Sequence, residues 1–289
     1  MPVRKRPAGR ALRALGRRLL NILQAAVLGA VQGLTEFIPI SSSGHLVIVP
    51  ALFDWPRQQG VAFEVLLHSA SLLALLVYFS GDLLDLVRGA WRRDRDALRL
   101  AGLLVVGTIP AGLAGLLLRD FFEAQYDDAA GAALQLLLTA AILVAAEQIL
   151  RWHERRRAKT GTPMRTVDGM TLLDASAVGL GQAIAIIPGI SRSGSTIAAS
   201  LALGFSRDEA ARFAFLLAIP ALIGATILEV PNLAESEITL GTGLVGFLLS
   251  LVTSYAAIAG LIKYLRSRTL YPFAAYCTVA GVAFYLILR

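Results

Sequence analysis

Six apolar stretches, at about 61–79, 100–118, 130–150, 213–228, 240–262 and 273–288, are each long enough to cross a bilayer hydrocarbon core of roughly 30 Å. That pattern leaves an integral membrane bundle as the architecture. In lipid every backbone polar group must be satisfied within the protein, and helices do this segment by segment. Two further apolar stretches, 19–53 and 171–205, are interrupted by Pro, Ser, Gly and charged residues. They read as broken helices or re-entrant hairpins, since irregular backbone at membrane depth is tolerated only where it is buried in protein or lines a wet cavity. The expected fold is therefore all-α, with six spans and two interrupted hairpins.

Charge gives sidedness. Only 16% of the 289 residues are charged, with a formal net charge of +7. Residues 1–18 hold seven basic residues and no acidic one, and the remainder carries 20 basic against 20 acidic residues. The basic pI thus comes from a short N-terminal tail and is no sign of a nucleic-acid partner. Residues 19–289 read as one membrane domain. Segments 80–99, 151–170 and 263–272 are rich in Arg and Lys, whereas 119–129 and 229–238 are acidic. The basic segments are assigned to the cytoplasm and the acidic ones to the outside. The side of the tail stays open. One cysteine, Cys277, excludes a disulfide framework and a cysteine metal site.

The two interrupted segments match at an offset of 150 residues: Gln32 with Gln182, Ser41 with Ser191, Ser43 with Ser193, Gly44 with Gly194 and Phe63 with Phe213. Each half, about 19–150 and 171–289, is an interrupted segment followed by three spans, with inverted loop charge. This is the pattern of an inverted-topology repeat, whose working site lies where the discontinuous elements meet.

Ionisable residues inside such segments are the natural functional candidates. The first interruption places Gln32 and Glu36 four apart on one helix face, then Pro39, Ser41, Ser42, Ser43, Gly44 and His45. The second reads Pro188-Gly-Ile-Ser191-Arg192-Ser193-Gly194-Ser195-Thr196. Together they describe a phosphate site. Arg192 grips phosphate oxygens, and Ser191, Ser193, Gly194 and Thr196 lie around a helix start, expected after Ser193 or Gly194, that favours an anion. Glu36 serves as base or, with Gln32, holds a divalent cation (Mg2+ or Ca2+). Ser42 is the candidate nucleophile, with His45 exchanging its proton. His68 reads as a packing residue on an apolar face, His153 as a solvated loop residue, and Glu64 and Glu147 as interfacial. Asp208 and Glu209 after Ser206 read as an ordinary helix start.

The paired motifs, Gln32-x-x-x-Glu36 with Pro-Ile-Ser-Ser-Ser-Gly-His45 and Pro188-Gly-Ile-Ser-Arg-Ser-Gly-Ser-Thr196, closely resemble the undecaprenyl-pyrophosphate phosphatase family of the bacitracin-resistance type. The resemblance runs from about residue 20 and includes Phe213-Ala-Phe-Leu-Leu-Ala-Ile-Pro220. It implies a multi-pass enzyme of the bacterial inner membrane that removes the terminal phosphate of undecaprenyl diphosphate and so recycles the lipid carrier for cell-wall synthesis. It also implies a site opening to the external side, dependence on a divalent cation, a polyprenyl diphosphate as partner among membrane lipids, and a homodimer as an allowed state. The family's acidic motif maps on Gln32 and Glu36, its serine on Ser42, its histidine on His45 and its arginine on Arg192. The chain departs from the family in having Gln32 at the first acidic position and in the length of its basic tail. A secondary transporter or flippase of a phosphorylated lipid is the rival reading, because broken helices in inverted repeats are typical of that class. A type-2 phosphatidic acid phosphatase fits poorly, since no histidine follows His153.

Overall fold

A computed structural model describes residues 20–55, 60–126, 128–234 and 238–289. The basic tail expected at 1–18 lies outside the described residues, as do Asp127, Glu235 and Glu237 of the acidic segments. Among the described residues there is no β-strand, only an isolated bridge between Arg165 and Phe205. Both interrupted segments are pairs of short helices: α1 (Ile22–Phe37) with α2 (Ser42–Leu52), and α8 (Leu172–Ile184) with α9 (Arg192–Ala202). The six expected spans are all helical: α3 (Gly60–Tyr78), α5 (Arg95–Leu117), α7 (Ala129–Thr160), α10 (Arg207–Ala234), α11 (Leu240–Leu265) and α12 (Tyr271–Leu288). Among the described residues five helices are long and apolar enough to cross a membrane. A sixth span is counted if α3 and the bent segment after it are taken together.

Local chemistry sets the breaks. Helix α1 opens on a reciprocal cap in which Asn21 accepts from the Gln24 amide at 2.8 Å and Gln24 accepts from the Asn21 amide at 3.0 Å. It stops at Ile38, which is extended (φ −64°, ψ 134°) because it precedes Pro39. Helix α8 opens on the same kind of box, between Thr171 and Asp174.

Two segments expected as basic loops are largely helical. Residues 80–91 form α4 (Ser80–Trp91), bent by 72° from α3 and with no buried residue. Helix α7 runs for 32 residues, about 48 Å at 1.5 Å per residue. That exceeds the hydrocarbon thickness, so its basic end projects beyond the membrane until Gly161 closes it at a φ of 67°. The short helix α6 (Arg119–Gln125) lies in the acidic connection.

The halves interlock. Helix α1 packs along α11 and α8 along α5, so each hairpin lies against a span of the other half. A Cβ on Gly29 would overlap the Gly246 carbonyl, and one on Gly179 would overlap the Gly107 carbonyl. Gly29 and Gly179 stand at the same 150-residue offset as the motif residues. Small residues permit this close backbone approach, which packs membrane helices without a hydrophobic driving force. Helices α7 and α12 pair similarly and enclose the hairpin tips. A contiguous core, including Phe37, Phe79, Phe213 and Phe215, fills the centre, while Val105, Ile109, Leu113 and Leu116 stand exposed along one line of α5, as lipid-facing residues do.

Candidate active site

The two hairpin tips are built alike. Ser41 caps α2 by accepting from the Gly44 amide at 3.3 Å, and Ser191 caps α9 by accepting from the Gly194 amide at 3.0 Å. Each capping hydroxyl also meets the serine two residues on, Ser43 at 3.3 Å and Ser193 at 3.2 Å. The tips touch: a Cβ on Gly44 would lie 2.9 Å from Gly189 Cα, and Ser193 Oγ donates to the Ile38 carbonyl at 3.4 Å. Long helices brace them from behind. Thr139 of α7 donates to the Gly189 carbonyl at 2.8 Å and accepts from the Ser191 amide at 3.0 Å. Cys277 of α12 is buried with Sγ 3.9 Å from the Pro39 carbonyl. Residues 39 and 189 are again 150 apart.

This junction brings Arg192 of the second half onto Glu36 of the first. The guanidinium pairs with Glu36 Oε1. The other oxygen, Oε2, accepts from Ser42 Oγ at 2.5 Å and from Gln32 Nε2 at 2.9 Å, and His68 Nε2 stands 3.5 Å away. Glu36 is only 5% exposed. A buried carboxylate of this kind is held by its counter-charge and donors. Behind it, Gln32 Nε2 also reaches Ser71 Oγ at 3.4 Å, and Ser71 meets Ser254 at 2.9 Å and Ser250 at 3.3 Å. This chain of buried hydroxyls ties α1 to α3 and α11 and fixes which way the Gln32 amide faces.

Gln32, Glu36, Ser42 and Arg192 thus converge as the sequence leads one to expect. His45 does not join Ser42. Its Nδ1 is 2.7 Å from the Ser41 carbonyl, which can only accept, so Nδ1 carries the hydrogen and Nε2 accepts from Tyr276 Oη at 2.7 Å. The ring lies nearly parallel to Tyr276, with centroids 5.7 Å apart. The acceptor of the Ser42 proton is Glu36. Among the residues expected around phosphate, Thr196 Oγ1 donates to the Arg192 and Ser193 carbonyls, and the Gly194 amide is used by the Ser191 cap. Both stabilise the start of α9. Arg192, half-buried at the tip, is the residue of this motif whose donors reach Glu36.

Three other readings change. His68, read from the sequence as a packing residue, stands against Glu36; the signal that could have found it is the rule that intramembrane ionisable groups are functional candidates. His153 lies in α7 and its Nε2 donates to the Ala202 carbonyl at the end of α9, 2.9 Å away. Glu147 is fully buried, paired with Arg207 and accepting from the Leu270 amide at 3.1 Å. The helix start at Asp208 and Glu209 holds: α10 begins at Arg207, and Glu209 accepts from the Val167 amide at 2.7 Å.

Chemically, the arrangement offers a hydroxyl hydrogen-bonded to a carboxylate, with a guanidinium beside them that can exchange a carboxylate for a phosphate. Among the described residues no three His, Cys, Asp or Glu side chains are grouped to hold a metal. Gln32 Oε1 is nonetheless buried without a partner next to Glu36. An amide oxygen and a carboxylate fit a hard divalent cation that takes its other ligands from phosphate and water.

The chain is similar to known proteins over most of its length. A family model described as bacitracin resistance protein BacA matches residues 25–283. An undecaprenyl-diphosphatase of Thermomicrobium roseum is 41% identical over 282 residues, covering 93% of this chain and 98% of the relative. One from Methanosphaera stadtmanae is 39% identical, covering 91% and 97%. A third, from Alcanivorax borkumensis, is 40% identical, covering 91% and 98%. The match spans both hairpins and every long helix between them, and the chain belongs to the bacitracin resistance protein BacA family.

Proposed function

We propose that this protein is a multi-pass enzyme of the bacterial cytoplasmic membrane that hydrolyses undecaprenyl diphosphate to undecaprenyl phosphate and inorganic phosphate. The reaction returns the lipid carrier to cell-wall synthesis, and bacitracin resistance follows from it. The names of the relatives and the family support this reading. The observation that carries it is the Ser42 hydroxyl donating to Glu36 while Arg192 holds the other carboxylate oxygen.

The diphosphate sits where the hairpin tips meet, with the prenyl chain between helices. Arg192 turns from Glu36 to the terminal phosphate and holds two of its oxygens. Ser42 Oγ attacks phosphorus as its proton passes to Glu36 Oε2, and undecaprenyl phosphate leaves. Water then attacks the phosphoserine, giving up its proton through Glu36, so that phosphate departs and Ser42 regains its hydrogen. A divalent cation, held by Glu36 and Gln32, would supply neutralisation of the diphosphate charge. In this reading the mouth of the site faces the external side, and the ion pairs at the basic end, Arg207 with Glu147 and Glu154, Arg212 with Asp82 and Arg165 with Asp174, support it.

Phosphate release from a polyprenyl diphosphate by the purified protein tests the reading. Ser42→Ala and Glu36→Gln each reduce kcat by about 10²–10⁴-fold, and Arg192→Ala raises KM as well. Transport of the lipid without phosphate release overturns the assignment. Near-normal turnover by Ser42→Ala removes the serine as nucleophile.

A further inference from the structure

His68 sits on α3, one turn after Glu64, and its Nδ1 is 2.8 Å from the Glu64 carbonyl. A backbone carbonyl only accepts, so Nδ1 carries a hydrogen and the ring is fixed about that bond. The fixed ring directs Nε2 at Glu36 Oε2, 3.5 Å away; a carboxylate oxygen only accepts, so the contact is made by the imidazolium, with Nε2 protonated as well. The same Oε2 receives the Ser42 hydroxyl, whereas Arg192 takes Oε1. The two oxygens therefore have separate partners, delivered by separate elements: α9 holds one, and α3 faces the other.

This division matters when substrate arrives. Resting on the hydrolase reading above, Arg192 must release Oε1 to grip phosphate. Glu36 then loses the partner on Oε1, so the contacts on Oε2 alone fix a side chain that has several rotamers. Ser42 Oγ cannot hold it, since that hydroxyl is the group about to react. Gln32 shares its amide with Ser71 at 3.4 Å. His68 belongs to a span outside both hairpins, so it stays in place while the tips adjust. Its side chain is 26% exposed against 2% for Glu36, placing the ring at the border between the buried carboxylate and the open part of the site.

We propose that His68 is a positioning residue of the reaction: it holds Glu36 Oε2 against Ser42 after Arg192 has transferred to the substrate phosphate. It acts through Glu36, so its removal slows the chemical step and leaves substrate capture by Arg192 largely intact. A misplacement of about 1 Å at a reacting group costs on the order of 10²-fold.

Steady-state kinetics of purified His68→Leu, His68→Gln, Glu36→Gln and the double variant His68→Leu/Glu36→Gln test this. His68→Leu is expected to lose roughly 10- to 100-fold in kcat with KM within about 2-fold of wild type. His68→Gln, whose amide N–H reaches the same oxygen, recovers to within about 5-fold. The double variant is expected to be no slower than Glu36→Gln alone, because residues acting as a unit are not additive. The His68→Gln arm serves if His68→Leu fails to fold. Wild-type kcat in His68→Leu, a change confined to KM, a His68→Gln as slow as His68→Leu, or additive losses in the double variant overturns the proposal. Absence of phosphate release by the wild-type protein overturns the underlying reading instead, and this proposal with it.

Discussion

The Glu36 carboxylate is engaged on both oxygens, with Arg192, Ser42, Gln32 and His68 around it. Gln32 stands where a second carboxylate would give a stronger cation site, and its Oε1 has no partner. Gln32→Glu should therefore lower the Mg2+ concentration that half-stabilises the protein by about 10-fold, because charge count among the oxygen donors sets affinity. The midpoint of the Mg2+-dependent rise in Tm reads this without reference to turnover. Glu36, Ser42 and Arg192 were legible in the sequence because a charge or a hydroxyl cluster inside an apolar stretch is conspicuous. His68 was not, because a histidine bonding the carbonyl one turn back satisfies a packing role equally well. What distinguishes it is the position of α3 relative to α1, a tertiary fact. For the same reason His45 was assigned to Ser42: adjacency in the motif is local, while its partner Tyr276 comes from the last helix.

At the scale of elements, the reactive geometry depends on helices that contribute no reacting group. Thr139 of α7 satisfies both the Gly189 carbonyl and the Ser191 amide. Thr139→Val keeps the side-chain shape and leaves two buried backbone groups unpaired. Such groups cost about 1–3 kcal/mol each, so Tm in detergent should fall, and kcat/KM should fall with it as Arg192 loses its support. A variant with unchanged Tm and turnover would show that the second tip stands without this brace. The break at Pro39 was readable from proline chemistry, whereas α9 starts at Arg192 on a Ser191 cap, two residues before the start expected after Ser193. The helical state of 80–91 and 151–160 was not readable, since arginine clusters mark the cytoplasmic side equally well on a loop or on a helix that outruns the bilayer.

In the whole molecule, charges away from the hairpins serve assembly. Glu147 is fully buried, with Arg207 on one side, Arg151 3.7 Å away and the Leu270 amide on its second oxygen. Removing Glu147 leaves Arg207 with Glu154 alone as its counter-charge and the Leu270 amide without its acceptor, and breaking a buried pair costs up to about 3–5 kcal/mol. Glu147→Leu should accordingly lower Tm sharply, and Glu147→Leu/Arg207→Leu should recover most of that loss. Equal loss in the single and double variants would mean that the pair itself, rather than an orphaned charge, sets stability. Glu147 escaped the sequence reading because its position near the end of a span suggested the interface, whereas three helices converge there and exclude water.

The crossed pairing of the halves bears on how the chain is made. Helix α1 leaves the ribosome first among the described helices, yet the surface that accepts its Gly29 and Gly33 lies on α11, the last helix but one. Until α11 is synthesised, the first hairpin carries Gln32 and Glu36 in the bilayer without its permanent neighbour, and Arg192 reaches Glu36 only once the second hairpin is inserted. The charged centre of the enzyme is thus completed late in biogenesis, and a chain cut between its halves leaves each with a small-residue stripe, a polar hairpin and no mate for either.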